Sequence, residues 1–113
     1  MPQYALLMYH PADGFPPADQ MAELHQRWQQ FAQDLMAAGA LVSNQGLRGV
    51  EAATTVRVRD GETQLTDGPF AETKEHFAGV FLIEADDLDG ALGWAARMPS
   101  ASYGSVEVRP VWG

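Results

Sequence analysis

An α+β domain is what this sequence predicts, and three observations carry that reading. Two amphipathic helical stripes lie far apart in the chain, and each follows an extended apolar run. Asp60-Gly61 sits between two alternating runs, a strong signal for a two-residue hairpin turn. A last extended run follows the second helix. The 113-residue chain is one domain, long enough to bury a core without disulfides or metal.

Each element has its own justification. Gln3 to His10 reads as a strand, with Tyr4, Leu6 and Met8 on one face and Ala5, Leu7 and Tyr9 on the other. Pro11 to Pro17 is a loop. Met21, Leu24, Trp28, Phe31 and Leu35 recur at three- and four-residue spacing and form one apolar stripe of a long helix. Pro17 suits its first turn and Gly39 its C-terminal cap. Leu41 to Gly46 is a short strand. Thr54 to Arg59 and Glu62 to Thr66 are the arms of the hairpin, and alternation assigns Thr54, Val56 and Val58 to its inner face and Thr55, Arg57 and Arg59 to its outer one. Phe77 to Glu84 is another strand. Asp86 or Asp87 can cap a second helix carrying Leu88, Leu92, Ala95 and Ala96, which stops near Pro99. Ser105 to Trp112 is the last strand. The order most simply builds a ferredoxin-like split βαβ sandwich with an added β-hairpin.

Two helices cover only one face of such a sheet. Yet the strands Gln3 to His10 and Phe77 to Glu84 are apolar on both faces, with Val80 and Leu82 set against Phe77, Phe81 and Ile83. A strand with one wet face should alternate apolar and polar residues. The simplest cover for the second face is another copy of the same sheet, so a homodimer with a two-sheet interior is expected.

Composition narrows the function classes. Net charge is −8, from 15 acids against seven Lys and Arg, with no basic cluster. That argues against nucleic acid and against anionic membrane surfaces, which both need cations to meet phosphate. There are no cysteines, so thiolate catalysis, zinc-thiolate sites and iron–sulfur clusters are excluded. MPQYALLMYH has no basic leader region and only a short apolar run, which leaves a cytoplasmic location by default. The three histidines lack metal-ligand spacing, and no dinucleotide fingerprint, phosphate loop or nucleophile elbow occurs. Neither metal nor cofactor is expected. A small ligand or a regulatory protein partner remains.

Topology brings polar groups together. In a split βαβ sheet the first strand is antiparallel to the Phe77 and Ser105 strands, so its end meets their starts. His10, Asp67, His76, Tyr103 and Ser105 should converge there as a candidate ligand-binding rim. The plainer alternative is that strand ends are polar because water meets them. Asp67 has a local peculiarity. A turn aspartate usually bonds the N–H two residues on, but that residue is Pro69, which has none. Its carboxylate either reaches the N–H of Phe70 or faces another group. Phe70 reads as an anchor packed on the core, and Glu72, Lys74 and Glu75 as a solvated run. Arg109 reads as outward-facing, or as the partner of an acid on a neighbouring strand or protomer. His25 sits at the edge of the apolar stripe, where an imidazole would suit a general acid or base.

The stretches YALLMYH, AAGALV, TTVRVRDG, TDGPFAETKE, FLIEADDLDGAL and YGSVEVRPV together resemble the YCII-related family, within it the DGPF branch, named for residues like Asp67-Gly68-Pro69-Phe70. The resemblance implies a dimeric α+β barrel of ferredoxin-like protomers. It implies a regulatory or ligand-sensing use, because some related domains are attached to alternative sigma factors. It also implies a His-Asp pair in the wider group, for which His25 matches the histidine. The aspartate would precede a proline after the second helix, where this chain has Met98. With that carboxylate missing, Asp67 is the candidate to orient His25 in a His-centred acid–base site.

Overall fold

The computed structural model describes residues 1–13 and 16–113, so part of the expected loop from Pro11 to Pro17 lies outside the described residues. The elements run β1 (Gln3–Pro11), α1 (Met21–Ala37), β2 (Leu41–Gly46), β3 (Thr54–Arg59), β4 (Glu62–Asp67), β5 (Glu75–Glu84), α2 (Leu88–Arg97) and β6 (Ser105–Pro110). Four strands form one antiparallel sheet in the order β2-β5-β1-β6, and β3 and β4 pair as a separate hairpin. β1 thus lies between β5 and β6, and β5 between β1 and β2, the interleaving of a ferredoxin-like α+β fold. No described helix is long and apolar enough to cross a membrane.

Local chemistry sets the boundaries. α1 ends where Gly39 takes φ +68, a conformation open to glycine, while its N–H donates to the Met36 carbonyl at 3.0 Å. Asp87 caps α2 by accepting from the Gly90 N–H at 2.9 Å. Asp60 and Gly61 both have positive φ, as a hairpin turn of two residues needs.

Both helices pack on one face of the sheet. Leu6 and Ile83 from the strands, Leu35 from α1 and Met98 after α2 are fully buried there. Phe81 stacks on Trp28 with ring centroids 5.8 Å apart and meets Phe31 edge-on at 5.4 Å. The opposite face presents Ala5, Leu7, Tyr9, Val80 and Leu82, all half-buried, on the side away from α1 and α2.

Four expectations about orientation do not hold. The hairpin is inverted: Val56 and Val58 are 60% and 58% exposed, whereas Thr55 and Arg57 are half-buried. Its polar side faces the returning chain, with the Thr55 hydroxyl donating to the Gly68 carbonyl and the Arg57 guanidinium to that of Phe70. Phe77 does not share a face with Phe81 and Ile83. Met8 opposes Gly79 while Tyr9 opposes Phe77, so Ala78 is one extra residue, and this bulge turns Phe77 to the open face beside Tyr9. In α2 the core-facing residues are Ala91 and Ala95, whose small side chains let the helix approach the sheet, and Leu88 and Leu92 stay exposed. Phe70 is 78% exposed and anchors nothing in the core.

Candidate functional site

Two cavities open on opposite sides of the same sheet end. The larger, about 790 Å³, lies on the open side. Leu7, Tyr9 and Phe77 form its floor. One wall is the segment from Leu47 to Ala53, and the other is Pro69, Phe70 and Ala71. Backbone bonds hold both walls. The Leu47 N–H donates to the Ala78 carbonyl, and the Gly68 N–H to that of Ala53, each at 2.8 Å. Arg48, Thr73, Glu75, His76 and Arg109 are its polar residues.

Glu75 and Arg109 have defined partners, as does Tyr9 on the floor. Glu75 accepts from the Ser105 hydroxyl at 2.6 Å. The Tyr9 hydroxyl donates to Glu107 at 3.1 Å, and its acidity is weakened by desolvation first and by that carboxylate second. Arg109 approaches Glu107 only at 3.9 Å. The lining is otherwise apolar.

The smaller cavity, about 490 Å³, is a groove on the helix side between α1 and the ends of β1 and β5. His10, His25, Trp28 and Tyr103 line it with Met21 and Leu24. The Tyr103 hydroxyl lies 3.3 Å from Nε2 of His10, and their rings are 5.3 Å apart. Burial lowers the His10 pKa below 6.5 and favours the neutral imidazole, opposed by the Glu75 carboxylate. Burial likewise raises the Tyr103 pKa, opposed by the Trp28 indole and by Arg27. His25 Nε2 is 3.4 Å from the side-chain nitrogen of Gln29.

Of the residues expected at the rim, His10 faces His76 directly across β1 and β5, Ser105 faces Tyr9, and Tyr103 reaches His10. They nevertheless divide between two openings, His76 lining the larger cavity and His10 and Tyr103 the smaller. Asp67 closes β4 opposite Thr54, is exposed and lines neither cavity. Among the described residues no hydrogen bond joins it to His25 or to the N–H of Phe70. Met98, where the resemblance implied a carboxylate, is a core residue. No group of three or more His, Asp or Glu among the described residues could hold a metal ion.

The sequence reading missed Arg48 and Glu75. The sequence places Glu75 in a solvated run, but β5 starts two residues before Phe77 and carries it into the sheet. Opposite Pro11 it faces the very end of β1. Arg48 belongs to a segment with no motif, and only the fold brings it near β6.

Residues 2–113 match the YCII-related domain. The chain is also 52% identical over 62 residues to an uncharacterized protein of Rhizobium meliloti (strain 1021), a match covering 53% of this chain and 50% of that relative. The match thus spans about half the length of the curated relative.

Proposed function

The chain belongs to the YCII-related family, and we propose that it acts there as a homodimeric module that binds a small ligand in the cavity on the open side of its sheet. The observation that carries this reading is the cavity itself. It is about 790 Å³, mostly apolar, and fitted with a few polar groups that converge from separate elements. The dimer is supported by the half-buried Leu7, Val80 and Leu82 and by the shape of the chain. Its radius of gyration is 16.0 Å, against about 13 Å for a compact chain of this length. It is a slab only 18 Å thin along its shortest axis. A second sheet over the open face would give the α+β barrel and shield the cavity from bulk water. Asp67-Gly68-Pro69-Phe70 supports assignment to the DGPF branch. A cytoplasmic location goes with the reading and is checked by cell fractionation.

Two experiments test it. Light scattering should give twice the 12.3 kDa chain mass, and a monomer at micromolar concentration sinks the dimer. A thermal-shift screen of small metabolites should yield ligands whose stabilisation follows concentration. Ala53→Trp fills the cavity from its wall and should abolish that stabilisation. Hits that survive the substitution place binding elsewhere.

One observation favours a second reading, an enzyme of His-centred acid–base chemistry in the helix-side groove. Burial favours the neutral imidazole of His10, which lies beside the Tyr103 hydroxyl, with His25 on the facing helix. Asp67 lines neither cavity, so this reading rests on His10, His25 and Tyr103. Screening hits incubated with the protein and followed by NMR should then turn over, and His10→Gln with His25→Gln should stop turnover. Hits that stay intact count against it.

A further inference from the structure

We infer that the ligand of the larger cavity is an amphipathic anion, an apolar body with room for aromatic rings and one carboxylate, sulfonate or phosphate. The inference rests on the ligand-binding reading above. It starts from where this acidic chain spends its cations. Only seven Lys and Arg stand against 15 acids, yet two of the seven, Arg48 and Arg109, line this one cavity. They come from different walls, Arg48 from the segment after β2 and Arg109 from β6.

Two carboxylates beside these groups are already engaged. Glu75 accepts from Ser105, and Glu107 accepts from Tyr9 while reaching Arg109 only at 3.9 Å. Arg48 has no ion pair or hydrogen bond through its side chain among the described residues. Two guanidiniums and one carboxylate line this cavity in a chain of net charge −8. A cationic ligand would meet repulsion there. An anion would gain charge-assisted bonds, and the planar guanidinium suits a carboxylate or phosphate. The rest of the ligand must be apolar, because the floor is Leu7, Tyr9 and Phe77, with the tilted Tyr9 and Phe77 rings 5.6 Å apart. Phe70, exposed at the mouth, supplies a further ring.

A matched pair of dyes tests this. 1-Anilinonaphthalene-8-sulfonate and N-phenyl-1-naphthylamine share an apolar body and differ by the sulfonate. Fluorescence titration of the wild-type protein should show the sulfonate binding tighter by about tenfold or more, roughly one charge-assisted bond. That margin should shrink in high salt. In Arg48→Gln/Arg109→Gln the margin should vanish while the neutral dye binds as before. Both arginines are exposed, so the core is untouched. Equal affinities in wild type, or a margin that survives the double substitution, overturn the anionic class and leave the cavity standing. If neither dye binds, or if Ala53→Trp leaves both affinities unchanged, the ligand-binding reading falls and the inference with it.

Discussion

Leu6 and Leu7 are neighbours on β1 and identical in chemistry, but Leu6 is fully buried and Leu7 is only half-buried. Across the sheet, Ile83 is fully buried and Leu82 is not. The difference lies in what covers each face. Two helices, anchored by Phe31, Leu35, Ala91 and Ala95, finish the inner face within the chain. The outer face carries side chains just as apolar and lies away from both α1 and α2. One face is therefore a completed core, while the other is a surface whose composition anticipates a cover.

The largest expected effect would break this comparison outright. Leu6→Ala should cost about 2–5 kcal/mol in urea unfolding, independent of protein concentration. Leu7→Ala should cost less, and its cost should grow with concentration as the second copy engages. Equal, concentration-independent costs would mean that the chain covers both faces itself. Next comes Gly104→Ala, just before β6, packed against the end of β1. A Cβ there would stand 2.1 Å from the Tyr9 carbonyl oxygen, and the forced shift should cost about 1–3 kcal/mol in thermal unfolding. Asp87→Ala probes the covering layer alone. Loss of its bond to Gly90 should cost about 1 kcal/mol, with the mass in light scattering unchanged. The smallest effect concerns the helix-side groove. His10 has a pKa lowered from 6.5, so the folded state disfavours its protonation. Its contribution to stability is full above that unfolded-state value and is lost as pH falls through the folded one. Urea midpoints should therefore drop on acidification more in wild type than in His10→Gln.

Much of the architecture was legible from local chemistry. Leu41–Gly46 and Thr54–Arg59 could be bounded because Gly39, Gly46 and Asp60-Gly61 punctuate them, and Asp87 was among the two candidate caps. The apolar outer face was readable because β1 and β5 fail to alternate. Orientation was harder. Alternation separates the two sides of the β3–β4 hairpin, but it cannot say which one faces the chain. Gly68 and Phe70 offer carbonyls, and Thr55 and Arg57 turn toward them. The cavity was illegible for another reason. Arg48, Glu75 and Arg109 belong to three segments without a shared motif, and only the sheet order brings them together.

The bulge at Ala78 has a consequence for how this protein can vary. Its carbonyl holds Leu47, and so the wall that carries Arg48. That attachment depends on β5 containing one residue more than β1 between Met8 and Tyr9. It is a matter of chain length rather than of side-chain identity. A scan of substitutions along β5 could leave it intact at every step. Deleting Ala78 alone would keep both flanking strand pairs and free the wall. Tolerance to insertion and deletion is thus the genetic record in which this part of the molecule is written.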